Sequence, residues 1–396
     1  MSSSPPPHLI RALPDSSAPN APSHLIYSLI TSLTYVLYLS ILPIYIPCLI
    51  LIHFSTSRPF PTWSLDQRIS TRLNKLRTNL FAYWIPPNPY DDWSIAPPGE
   101  AYREASERGE VELEVVDLEP VGEEWKKGIA KVEGVKGVTR PGFWTRPKGW
   151  DDKKVKGEDK VILHIHGGSY IRGHPLWTTF AMDIAKLTGL RCLTVNYRKT
   201  LSATTAFPAP LLDVLSAYTY LTRTLSIPSS GIILLGESAG AHLALCLSQY
   251  VHFLGLPQPG YMALSSPWCD FTLSFPSYRT NADFDQLTPL RLRKAVRSAT
   301  RWYKPSAVES WWFSPARVKE PTEHWEYLKD EGVKVYMQYG GRELMRDEIV
   351  TLGRGMKTAG VDVSVREHVD GLHTGGLSDP IAKKAFQKDL LEMLRR

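Results

Sequence analysis

The chain has 396 residues, 43% of them hydrophobic and 22% charged, enough to bury a large core in one main domain with additional segments. Its formal charge of +6 comes from acidic and basic residues interleaved along the sequence, so no concentrated basic footprint points to nucleic acid. Cys48, Cys192, Cys246 and Cys269 lie far apart with no C-x-x-C pair, which argues against a zinc site or a disulfide framework and leaves core thiols.

Residues 1–24 are rich in Ser and Pro and are expected to be a disordered leader. Leu25 to Phe54 contains no Asp, Glu, Lys or Arg and exceeds the roughly 20 apolar residues that cross a bilayer. The leader lacks the basic start of a cleaved signal peptide and the apolar run is too long for one, so an uncleaved single-pass anchor in contact with membrane lipid is expected over residues 25–54. Pro43 and Pro47 interrupt the run, so a shorter span over Leu25–Leu42 or a kinked, surface-lying segment is the alternative. Arg11 precedes the segment, whereas Arg58, Arg68, Arg72 and Lys75 follow it, a bias that places the following domain in the cytoplasm.

After a linker over residues 55–105, which also supplies part of a cap, strands and helices alternate through residues 106–396. Strand-like runs occupy Val111–Leu118 and Val138–Thr145, followed by a buried strand over Lys160–His166 and a helix over Leu176–Leu187. A strand over Arg191–Asn196, a helix over Pro210–Leu225 and an apolar strand over Ile232–Leu235 come next. Tyr261–Leu264, Val333–Tyr339 and Val361–His368 complete the strands. This order predicts an α/β fold with a mostly parallel sheet covered on both faces. Residues 271–320 stand outside the pattern and read as a cap insert, with helical spacing over Leu290–Tyr303 and aromatic residues at Trp302, Tyr303, Trp311, Trp312 and Phe313.

Gly236-Glu237-Ser238-Ala239-Gly240 sits directly between an apolar strand and a helical run. A serine in such a tight turn presents its Oγ clear of the backbone, and flanking glycines avoid collisions with neighbouring elements. The helix N-terminus behind it favours developing negative charge. His166-Gly167-Gly168-Ser169-Tyr170 ends an earlier strand, where a loop without side chains can bring backbone N–H groups to a carbonyl oxygen. Gly168 and Ser169 are the expected donors, with Ala239 as the third and Gly167 in reserve.

The runs HIHGGSYIRG, VNYR, AFPAPLLDVLSAYTYL, GESAGAHLAL, SPWCD, GGRELMRDE and DGLHTGG, in that order, resemble the hormone-sensitive-lipase branch of the α/β-hydrolases over about residues 110–396. The resemblance implies a serine hydrolase of carboxylic esters with Ser238 as nucleophile. By the family's D-x-L-x-D-E pattern Glu343 takes the acid position, one methylene longer than the usual aspartate, with Asp347 as the alternative acid or a loop-holding residue. His373 matches the family histidine, while His368 lies within a strand pattern. Ser169 replaces the family's third glycine, and Lys199-Thr200-Leu201-Ser202 stands where the family has L-A-P-E, so that loop is expected to differ.

In this chemistry His373 takes the Ser238 proton, Glu343 orients the imidazole, and water later releases an acyl-enzyme. No cofactor or metal is required, and no His or Cys spacing suggests a ligand set. An aromatic cap and an apolar anchor suit a hydrophobic ester such as a sterol, lipid or secondary-metabolite ester, although the same aromatics could simply pack cap on core. The branch includes steryl acetyl hydrolases and biosynthetic esterases, so deacetylation at the endoplasmic reticulum ranks first, and some anchored relatives face the lumen. Amide hydrolysis or acyl transfer stays open. A non-catalytic small-molecule receptor, of the kind that lacks the histidine, is disfavoured by Ser238, Glu343 and His373 together.

Overall fold

A computed structural model describes residues 24–55, 63–84, 99–150, 160–375 and 379–395. The expected leader over residues 1–24 therefore lies outside the described residues, save His24, where the first helix begins. Eight strands make one sheet: β1 (Val111–Leu118), β2 (Arg140–Pro147), β3 (Val161–Ile165), β4 (Cys192–Val195), β5 (Ile232–Glu237), β6 (Tyr261–Ser265), β7 (Lys334–Gly340) and β8 (Asp362–His368). Their spatial order is β1-β2-β4-β3-β5-β6-β7-β8. β1 pairs antiparallel with β2 and β2 with β4, and every later pairing is parallel.

The central strands are apolar on both faces because helices cover both. On one face Ile162, Cys192, Ile233, Leu235 and Tyr336 pack against α4 (Phe180–Thr188) and the C-terminal helix, α11 (Pro380–Arg395). On the other, Leu163, Leu193, Leu234, Leu264 and Met337 meet α5 (Ala209–Thr219) and α6 (Ala239–Phe253). The period-two alternation between these two sets is the physical signature of a pleated sheet buried on both sides.

The apolar N-terminal run is a single helix, α1 (His24–Ser55), continuous through Pro43 and Pro47. It is long and apolar enough to cross a membrane. Much of its surface is open, with Leu29, Leu33, Val36, Ile44 and Leu51 all exposed. One side, however, packs on α2 (Leu65–Trp84), where the Tyr35 and Phe81 rings meet edge to face at 4.8 Å. The amphipathic α2 in turn docks on the insert between β6 and β7. That insert carries α7 (Ser277–Thr280) and α8 (Pro289–Ala299), the latter capped by Thr288 Oγ1 accepting from the Arg291 N–H at 3.4 Å. α3 (Glu100–Glu107), α9 (Pro321–Asp330) and α10 (Arg346–Thr358) complete the helices used below.

Several boundaries differ from expectation: β2, expected over Val138–Thr145, runs over Arg140–Pro147, and two helix ends differ as well. The helix expected over Pro210–Leu225 is α only to Thr219, and Tyr220–Thr224 forms a π turn. α4 begins at Phe180 rather than Leu176 because the chain first turns at His174, where the Trp177 N–H donates to the His174 carbonyl at 3.2 Å.

Candidate active site

Ser238 caps α6 at the end of β5 with φ 55° and ψ −121°, a conformation that a non-glycine residue adopts at a local cost. The cost is imposed by surroundings that leave no other path. A Cβ on Gly240 would collide with the Ile165 backbone carbonyl, and one on Gly236 would lie 2.8 Å from Ala241 Cα. Ser238 N–H donates to the Ser265 carbonyl at 2.9 Å, and its own carbonyl accepts from Trp268 N–H at 3.2 Å. The serine is thereby fixed between β6 and the loop that follows it.

The imidazole of His373, in the loop after β8, brings Nε2 to 2.8 Å from Ser238 Oγ, a hydrogen-bonding distance. Its Nδ1 lies 3.6 Å from Glu343 Oε2, longer than a hydrogen bond. Neither Nδ1 nor Glu343 Oε1 has a hydrogen-bond partner among the described residues. Catalytic hydrogen bonds are commonly loose without substrate and tighten on binding. Glu343, wholly buried after β7, also accepts at Oε2 from Ser266 Oγ at 2.7 Å and from Gly340 N–H at 3.3 Å. Ser266 Oγ accepts from Thr374 N–H at 2.9 Å, so one hydroxyl ties the acid to the residue after the histidine. Sequence reasoning missed Ser266, whose one visible signal is its place directly after β6.

Asp347, the alternative acid, is engaged elsewhere. It accepts from Ser277 N–H at 2.9 Å and pairs with Arg346 at 2.8 Å, holding the insert to the start of α10. His368 shares a hydrogen bond with Gln338 Oε1 at 2.9 Å through Nε2. Burial lowers the pKa of His242 to about 3, and its Nδ1 shares a hydrogen bond with the Tyr170 hydroxyl at 2.6 Å. Burial, aided by Lys199, likewise holds His166 well below the usual imidazole range.

Gly168 (φ 121°), Ser169 (φ 56°) and Tyr170 (φ 63°) turn through left-handed backbone in succession. The N–H groups of Gly168, Ser169 and Ala239 donate to no acceptor among the described residues. Gly167 is a correction to the expected set, because its N–H donates to Glu237 Oε1 at 2.8 Å. The other Glu237 oxygen is 2.9 Å from His164 Nε2. Glu237 thus links the end of β5 to the glycine loop.

Arg198 forms a buried ion pair with Asp213 at 2.7 Å, and the following Lys199 turns inward. Its Nζ donates to Asn196 Oδ1 at 3.1 Å and lies 4.2 Å from the centre of the Tyr197 ring.

Tyr303, Trp312 and Phe313 of the insert pack on the core. Phe313 meets Phe207 at 5.0 Å and Tyr303 at 5.3 Å, and Trp312 meets Tyr250 at 6.0 Å. A cavity of about 460 Å³ lies behind the acid loop between Phe284 and Asn281 on one side and Arg342, Arg346 and Glu367 on the other. None of the three triad side chains lines it. Among the described residues no cluster of His, Cys, Asp and Glu could hold a metal ion.

Residues 162–375 match a family model described as alpha/beta hydrolase fold. An acetyl-hydrolase of Streptomyces hygroscopicus is 26% identical over 240 residues, covering 60% of this chain and 73% of the relative. An esterase of Acinetobacter venetianus is 31% identical over 150 residues, covering 37% of this chain and about half, 48%, of the relative. A kynurenine formamidase of Meyerozyma guilliermondii is 34% identical over 105 residues, 26% of this chain and 39% of its own. Among solved structures, an esterase from the bacterial hormone-sensitive lipase family superposes with TM-score 0.57 at 22% identity over 88% of this chain and 96% of that one. An esterase/lipase from an uncultured bacterium gives TM-score 0.60 at 19% identity over 84% and 99%. With a family model spanning more than half its length, this chain belongs to the α/β-hydrolase fold family.

Proposed function

We propose that this chain, an ester-hydrolysing serine hydrolase, deacylates a hydrophobic small molecule through an acyl-enzyme on Ser238. The observation that carries the reading is the 2.8 Å contact between Ser238 Oγ and His373 Nε2. His373 takes the hydroxyl proton as Oγ bonds to the ester carbonyl carbon. The carbonyl oxygen, now negative, is received by the N–H groups of Gly168, Ser169 and Ala239, and Glu343 steadies the imidazolium through Nδ1. The tetrahedral intermediate expels the alcohol, which leaves with the proton from Nε2. Water then repeats the sequence on the acyl group, restoring Ser238 and releasing the acid.

An acetyl group is the preferred acyl unit, supported by the similarity to an acetyl-hydrolase. The exposed apolar surface of α1 supports a membrane-held enzyme drawing a hydrophobic ester, such as a steryl, lipid or secondary-metabolite acetate, from the bilayer. The endoplasmic reticulum is the proposed membrane, with the catalytic domain on its cytoplasmic side as the charge bias indicates. Membrane extraction of wild type and L33K/V36K tests the anchor, and protease protection in sealed microsomes tests the side. Similarity to a formamidase favours amide hydrolysis as the second reading, since the same triad serves both bonds.

Labelling by a fluorophosphonate probe tests the enzyme reading. Wild type should be labelled and Ser238→Ala should not; equal labelling of both would reject it. Hydrolysis of short water-soluble esters alone, with no turnover of hydrophobic acetates, would reject the substrate class.

A further inference from the structure

The insert reaches the triad through one short segment after α7. Asn281 Nδ2 donates to the Glu343 carbonyl at 2.9 Å, Leu344 N–H donates to Asp285 Oδ2 at 2.7 Å, and Gln286 Nε2 donates to the His373 carbonyl at 3.0 Å. The backbones of both triad loops are thus gripped from one side, with Asp285 between the two grips.

Asp285 is wholly buried and forms no ion pair among the described residues. It accepts only backbone N–H groups, from Leu344 and, at 3.4 Å, from Leu287. Burial pushes its carboxyl up to about 6, attraction to His373 draws it back, and repulsion from Glu343 raises it further. An asparagine has one acceptor oxygen, so it could keep the 2.7 Å bond from Leu344, losing the long one from Leu287, without the cost of a buried charge. What the carboxylate adds is the charge itself, beside the one group in the reaction that becomes positive.

We propose that Asp285 is a positioning residue for the reaction, a second anionic support that joins Glu343 in stabilising the His373 imidazolium formed as Ser238 gives up its proton. The proposal rests on the hydrolase reading above. The other charges facing this cluster are Lys75 on α2, Glu348 on α10 and His368 at the end of β8, and Lys75 itself faces Arg72 and Asp283. Lys75 donates to the Ala282 carbonyl and lies 3.8 Å from Asp283, so the segment's main cation is tied to its outer side.

The test is the pH profile of kcat/KM for p-nitrophenyl acetate, measured on the full chain as wild type, Asp285→Asn and Asp285→Glu. Without the charge, His373 gives up its proton more readily in the free enzyme and holds it less well in the transition state. The acidic limb for D285N should therefore move down by about 0.5 pH or more, with kcat about tenfold lower. D285E, which keeps the charge, should return the limb to its wild-type position. Superimposable profiles for wild type and D285N would overturn the proposal, whatever happened to kcat, because a purely structural bond to Leu344 would not move the limb. If D285N does not fold, D285S removes the same charge and is measured instead. Failure of the hydrolase reading would look different: wild type itself would neither turn over nor label at Ser238.

Discussion

The two halves of the proposed triad are built by different means. The nucleophile half is local: a strand end, a helix start and glycines whose missing side chains let β5, β3 and α6 close on one another. The acid–histidine half is assembled at a distance. Its loops follow β7 and β8, yet they are held by Ser266 after β6, by Asn281, Asp285 and Gln286 from the insert, and by Trp63 before α2, whose Nε1–H donates to the Asp370 carbonyl at 3.0 Å. A serine placed by sterics needs little outside support, whereas a histidine on a surface loop is oriented only by what packs over it.

Breaking the orienting contact at the triad gives the largest effect. Glu343→Gln keeps the side-chain shape but offers Nδ1 an amide in place of a carboxylate, so kcat should fall by about 10³ to 10⁴ while the melting temperature changes little. Steady-state kinetics and thermal melts on the same preparation check both halves of that statement.

The nucleophile half breaks by sterics. Alanine at position 240 would gain about 1 kcal/mol of helix propensity, but its Cβ collides with a backbone carbonyl of β3. The net outcome for Gly240→Ala should be a loss of about 2 to 3 kcal/mol, measured by denaturant unfolding, together with lost activity.

Asp285 sharpens the comparison, because its charge costs stability. Its folded carboxyl titrates at about 6 against an ordinary 3.8, so the folded state binds a proton more readily than the unfolded chain. The penalty is absent below the ordinary value, grows as pH rises, and is complete above the folded one. D285N should therefore be more stable than wild type at pH 7 by up to about 3 kcal/mol. The gap should close toward pH 4, as read from denaturant midpoints across that range. A less active but more stable variant would mark Asp285 as placed for chemistry.

Trp63→Phe is the mildest break. Loss of one indole hydrogen bond to the histidine loop should cost about 1 kcal/mol and lower kcat/KM a few-fold, with Ser238 labelling intact.

This division also explains what the sequence revealed. β1 was legible to the residue, and the core strands nearly so, because short apolar runs between turn signals carry period-two burial on their own. Ser238 and its turn were legible for the same local reason. Glu343 needed a family pattern, since nothing near it in sequence announces an acid. Ser266, Asp285 and Gln286 were invisible because their roles exist only once β6, the insert and the β8 loop meet in space. The insert aromatics were ambiguous in sequence, suiting either a substrate-facing cap or packing on the core, and Phe313 and Trp312 pack on Phe207 and Tyr250.

Intact-mass and peptide mass spectrometry after rapid quenching of wild type with p-nitrophenyl acetate tests the central claim most directly. An acetyl group on the peptide containing Ser238, formed in wild type and absent from Ser238→Ala, is the predicted result. Turnover without an adduct there, or an adduct on another side chain that persists in Ser238→Ala, would contradict it.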